Sequence, residues 1–82
     1  MSIVKTIYQE RYQQLIFALV DARHKEGLTQ AQLAESFDKP QSYIAKIEAK
    51  DRKLDVMEFI DICIALDIQA SEIVEKIQNN LH

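Results

Sequence analysis

Thr29-Gln30-Ala31-Gln32-Leu33-Ala34-Glu35-Ser36, then Phe37-Asp38-Lys39, then Pro40-Gln41-Ser42-Tyr43-Ile44-Ala45-Lys46-Ile47-Glu48-Ala49: two short helical segments about a three-residue break decide how this chain folds. Thr29 and Gln32 form a capping box, in which each side chain satisfies a backbone amide at a helix start. The spacing predicts a helix from Gln30 to Ser36 with Leu33 and Ala34 turned inward. Pro40 stands where proline is tolerated, in the first turn of the next helix. That helix is expected from Pro40 to Ala49, docked through Ile44 and Ile47, three apart on one face. A small residue is required where the two helices touch, and Ala34 supplies it. The turn requires a residue that tolerates left-handed geometry, and Asp38 does so at a higher cost than glycine. With the isoleucines inward, Gln41, Ser42, Ala45 and Lys46 face outward and Tyr43 lies to one side. This is a helix-turn-helix pattern, and such a narrow, amide-bearing surface suits the edges of bases.

Working outward, Thr6 and Gln9 match a capping box and predict a helix from Ile7 to Glu26. Tyr12, Leu15, Ile16, Leu19 and Ala22 share one of its faces, with Phe17 and Val20 off it. Tyr8 and Tyr12, four apart, are read as packing residues. Gly27 supplies the left-handed residue that ends the helix. Downstream, Lys50 to Leu54 is a polar, basic loop. Asp55 with Glu58 is a third capping box and predicts a helix from Val56 to Leu66, with Phe59, Ile60, Cys63 and Ile64 apolar. Asp67-Ile68-Gln69 turns the chain into a last helix from Ala70 to Asn80, with Ile73, Val74, Ile77 and Leu81 on one stripe. The expected fold is all-α, a compact five-helix domain over residues 1–82. Residues 1–14 extend its first helix, and residues 70–82 form a C-terminal helix suited to dimerisation.

Composition limits the function classes. With 48% hydrophobic residues and one glycine, the chain is too apolar for disorder. Cys63 is its one cysteine, so no intrachain disulfide is available, and its place in an apolar stripe reads as a buried small hydrophobe. Met1 to Tyr8 lacks the apolar run of a signal peptide, and the longest apolar run, the six residues Leu15 to Val20, is far too short for a bilayer. A cytoplasmic protein without a membrane partner is expected. The net charge of −3 is unevenly spread. Through Lys53 there are nine basic against seven acidic side chains; beyond it, one against six. An acidic C-terminal part leaves room for a basic face in the first part. His24 and His82 lack partners at ligand spacing, so no metal is expected. No phosphate loop, carboxylate pair or nucleophile beside a histidine is present, so neither an enzyme, a cofactor nor a small-molecule ligand is expected.

Thr29 to Glu35 and Gln41 to Glu48, with Gly27-Leu28 before them and Ala65-Leu66-Asp67-Ile68 after, resemble the Cro/repressor-like (XRE) helix-turn-helix family. The resemblance spans Leu15 to Val74. It implies a lambda-repressor-like five-helix domain that binds double-stranded DNA and regulates transcription, usually as a dimer on a pseudo-palindromic operator. Gln41 matches the position where an amide pairs with adenine, and Ser42 and Lys46 match others that reach base edges or phosphates, read here as base contacts. Gln30 matches a phosphate contact at the start of a helix. Lys39, Tyr43, Lys50, Arg52 and Lys53 match the backbone-flanking positions. Arg23 and Glu48 match an ion pair tying the first helix to the end of the recognition helix. Three features depart from the pattern: Asp38 in place of the turn glycine, Pro40 in place of a capping Ser or Thr, and the N-terminal extension.

The stripe Ile73, Val74, Ile77 and Leu81 would be exposed on a monomer, which makes it the expected homodimer interface. Phe17 and Val20 are left either to join it or to pack against an arm, Met1 to Lys5. The expected function is a sequence-specific transcriptional regulator of repressor type. The alternative is an antitoxin, or a controller of restriction-modification type (whose Tyr-Ile pair Tyr43-Ile44 resembles), acting partly through protein contacts.

Overall fold

The computed structural model describes residues 3–80, with side chains from Gln9 onward. The described residues form five helices and no strand: α1 (Ile3–Lys25), α2 (Gln30–Glu35), α3 (Gln41–Glu48), α4 (Val56–Ala65) and α5 (Ala70–Asn79). Two starts follow the expected capping boxes. Thr29 Oγ1 accepts from Gln32 N at 3.1 Å while Gln32 Oε1 accepts from Thr29 N at 2.9 Å. Asp55 and Glu58 make the same exchange at 2.7 and 3.1 Å. Pro40 is the residue before α3 rather than its first turn: its backbone is extended and no side chain caps the helix. Tyr43 N instead donates to Pro40 O at 2.9 Å. The expected start of the first helix is corrected. Thr6 lies inside α1, because Ile3-Val4-Lys5 contains no glycine or proline to stop the helix running back to Ile3. Residues 3–5 therefore form no arm under Phe17, which stays exposed.

The other ends of α1 to α4 share one device. Each closes with a pair of hydrogen bonds from two successive residues shortly past the helix to carbonyls in its last turn, the Schellman arrangement. For α1 these are Gly27 N to His24 O and Leu28 N to Arg23 O; for α4, Asp67 N to Ile64 O and Ile68 N to Cys63 O. Asp38 and Lys39 close α2, and Lys50 and Asp51 close α3, in the same way. The geometry places one residue of each end in the left-handed region: Gly27, Asp38, Lys50 and Asp67, with φ of 72°, 55°, 65° and 57°. Only the first is glycine. The expected left-handed role of Asp38 is present, and Lys50 and Asp67 share it without having been singled out in the sequence.

Tyr12, Ile16 and Leu19 of α1 meet Leu33 and Ala34 of α2, Ile44 and Ile47 of α3, and Phe59, Ile62 and Cys63 of α4 in one core, with Leu66 and Ile73. Helix α2 packs on α3, while α1 packs on both α3 and α5. Two expectations are corrected here. Ile62, not Ile64, faces the core from α4; Ile64 is 71% exposed. The run Ile60 to Ala65 is apolar nearly all round, so periodicity could not select its inner face. Ile73 is 9% exposed and belongs to the core, which removes it from the expected surface stripe. Of that stripe, Val74 is exposed, Ile77 is half-buried, and Leu81 lies outside the described residues. Tyr8 is likewise outside the described side chains.

A left-handed aspartate is strained relative to glycine. Asp67→Gly is expected to stabilise the protein by about 0.5–1 kcal/mol, raising Tm by several degrees on a thermal melt. An unchanged or lower Tm would show that Asp67 carries no such strain.

Candidate nucleic-acid interface

Helix α3 is anchored from beneath by Ile44 and Ile47, both buried, and presents Gln41, Ser42 and Lys46 to solvent. Ala34 of α2 is fully buried, and α2 packs on α3. A larger side chain there would push the two helices apart and tilt the outer face. Tyr43, half-buried at the side, gathers the nearby cations. Lys39 Nζ lies 5.6 Å and the Arg52 guanidinium 5.2 Å from its ring centre, and Phe37 meets it edge-on at 6.3 Å. The Tyr43 hydroxyl donates to Glu58 Oε2 at 3.4 Å. Burial, then the Glu58 carboxylate, holds this phenol above its ordinary value of 10.0, with Arg52 pulling the other way. The hydroxyl therefore remains a donor at neutral pH.

The basic loop does not act as one patch. Arg52 folds back onto Glu58, with Nη2 at 2.6 Å from Oε2 and Nη1 at 3.3 Å from Oε1. This two-pronged, partly exposed pair holds the guanidinium over Tyr43 more than it stabilises the fold. Lys53 Nζ sits 4.3 Å over the Tyr12 ring, whose hydroxyl accepts from Leu54 N at 3.1 Å. Lys50, exposed at the end of α3, lines a groove with Phe17, Val20 and Glu48. Glu58 is the site residue that sequence reasoning missed. Its spacing from Asp55 showed the cap, but no helical spacing relates it to Arg52 or Tyr43.

The residues expected at the α2 and α3 starts are joined to the core by one chain of hydrogen bonds. Arg23 Nε donates to Glu48 Oε2 at 2.7 Å and Nη2 to Glu48 Oε1 at 3.0 Å, while Nη1 donates to the Leu28 carbonyl at 2.7 Å. Glu48 Oε1 also accepts from Gln30 Nε2 at 2.8 Å. Gln30 Oε1 in turn accepts from Gln41 Nε2 at 3.2 Å. The Arg23 and Glu48 side chains are 9% and 13% exposed, so little water competes for them. Arg23 also stands in the last turn of α1, where the helix dipole favours a cation.

An all-helical domain with an anchored, polar-faced helix behind a tight turn defines a helix-turn-helix protein. The helix-turn-helix family profile matches residues 19–73. An XRE-family like protein from Pseudomonas syringae pv. tomato str. DC3000 superposes with a TM-score of 0.94 at 35% identity, with 100% of each chain covered. None of the curated proteins matches the chain at a significant level. The chain belongs to the XRE-type helix-turn-helix family, whose members are DNA-binding transcriptional regulators.

Removing one partner of a buried ion pair leaves the other charge without compensation. Arg23→Met is expected to cost about 3–5 kcal/mol in denaturant unfolding. A loss below about 1 kcal/mol, the range of solvated pairs, would show that water replaces the guanidinium.

Proposed function

We infer that the chain is a sequence-specific repressor that binds a pseudo-palindromic operator as a homodimer. One observation carries the reading: Gln41, Ser42 and Lys46 stand exposed on α3 while Ile44 and Ile47 lock its opposite side into the core. In this reading Gln41, Ser42 and Lys46 meet base edges in the major groove. Gln30, Lys39, Tyr43 and Arg52 flank them as phosphate contacts, with Lys50 and Lys53 beyond. The protein works in the cytoplasm, where its DNA lies, as one domain over the whole of residues 1–82.

Support for a dimer comes from apolar surface left uncovered. Val56 is 71% and Val74 50% exposed, and both line a groove of about 570 Å³ between α1, α4 and α5 with Leu15, Phe59 and Ile77. A second copy docked there through the same face would exclude water from these side chains. Two recognition helices about 34 Å apart would then enter successive turns of the major groove. The antitoxin or controller alternative has one observation of its own. Exposed Ile64 lines a shallow pocket with Phe37 and Asp61, a surface able to take a protein partner.

Selection from a randomised double-stranded DNA pool is expected to yield one symmetric site. Gln41→Ala is expected to lose about 1–3 kcal/mol at one base position. Lys46→Ala is expected to weaken binding and relax the selection at the base position it meets. Absence of any selected site would favour the protein-contact alternative. Sedimentation at micromolar concentration is expected to show a dimer that Val56→Asp and Val74→Asp dissociate; a monomeric parent protein would remove that part of the reading.

A further inference from the structure

The chain of amides between Glu48 and the tip of α3 has a direction. A carboxylate only accepts hydrogen bonds, whereas a glutamine amide both donates and accepts and can turn over with little change of shape. Glu48 is held by Arg23 through both oxygens, so its carboxylate cannot swing away. At 2.8 Å from Glu48 Oε1, the Gln30 side chain must therefore present Nε2; the reversed amide would set two acceptors against each other. Gln30 Oε1 is thereby directed to Gln41, which must answer with its own Nε2. What Gln41 retains for a ligand is one acceptor, Oε1, and one remaining N–H.

That pair of groups discriminates between purines. Adenine offers the major groove an acceptor, N7, and a donor, the 6-amino group; guanine offers two acceptors, N7 and O6. An acceptor beside a donor complements adenine. A reversed Gln41, with Oε1 given to Gln30 and both N–H bonds outward, would complement guanine. We propose that Glu48 is a positioning residue for base recognition: through Gln30 it sets the polarity of the Gln41 amide and makes it read adenine rather than guanine. The proposal rests on the reading of Gln41 as a base contact. It assigns Glu48, whose side chain is 13% exposed and paired with Arg23, a part in specificity as well as in the fold.

The test measures affinity ratios rather than affinity. A site is selected by the full chain from a randomised duplex pool, and each A·T pair in it is exchanged for G·C. The parent protein should prefer adenine at one position by roughly five- to hundredfold, and Gln41→Ala should flatten that position. Glu48→Gln restores a group that can donate, and Gln30→Met removes the relay at a half-buried position without touching the Arg23 pair. Each should lower the adenine-over-guanine ratio severalfold at the Gln41 position while ratios elsewhere in the site persist. A uniform weakening with that ratio intact would overturn the proposal and leave the base-contact reading standing. If Gln41→Ala changes no position, the base-contact reading fails, and the proposal with it. Should Glu48→Gln not fold, the Gln30→Met ratio decides alone.

Discussion

Arg23 and Glu48 meet at 2.7 Å, and the order of the first three helices depends on that meeting. Arg23 stands in the last turn of α1, Glu48 in the last turn of α3, and the same guanidinium holds the Leu28 carbonyl in the link to α2. Three backbone segments are thus tied at one point by groups too buried to exchange their partners for water. A negative charge at the C-terminal end of α3 is unfavourable to that helix's dipole, so Glu48 is tolerable there because Arg23 faces it. Gln30 adds the start of α2 to the same junction. A buried pair of this kind specifies geometry more than it adds stability, since desolvating both charges offsets much of their attraction. Geometry is what a recognition helix needs: its outer atoms must be placed to within a fraction of an ångström to match a base edge.

The helix ends serve the same purpose by a different means. Helices of six, eight, ten and ten residues cannot bury much surface, and much of their order comes from how they begin and stop. Two begin with reciprocal side-chain caps, and α1 to α4 stop on a left-handed residue with two closing hydrogen bonds. Asp38 and Lys50, at either end of α3, leave the chain in the conformation that aims it. Their side chains oppose that conformation, and the buried isoleucines between them supply the stabilisation that holds it. The Tyr43 cluster adds a lateral brace, linking Lys39, Arg52 and Glu58 around one ring.

The helices themselves were legible in the sequence because their signals are local. Thr29 and Asp55 cap within three residues, Gly27 stops within one, and Ile44 and Ile47 mark an inner face within one turn. What the sequence hid was either ambiguous or distant. Thr6 satisfies the pattern of a cap, yet nothing before it breaks the helix, and α1 continues to Ile3. Ile62 and Ile64 are equivalent by composition, and only the tertiary packing around α4 decides which is covered. Ile73 looked like surface because its stripe is long, but α5 lies close enough on α1 for one member to enter the core. The resemblance placed Gln30, Gln41 and the Arg23–Glu48 pair separately. That they form one connected chain rests on side-chain distances that no spacing rule contains.

The charge of the chain illustrates why distribution outweighs sum. A net −3 would repel DNA at long range, yet exposed charges separated by more than about 8–10 Å are largely screened at physiological salt. Attraction to phosphates is then governed by what stands beside the contact surface. Lys39, Lys46, Lys50, Arg52 and Lys53 all fall within fifteen residues of chain that include α3, while Asp61, Asp67, Glu72 and Glu75 belong to α4, α5 and their link. The local balance is still restrained, because Arg52 already spends its charge on Glu58 and the Tyr43 ring. On the outer face of α3, the amide of Gln41 is the group whose direction is traced back to a buried charge.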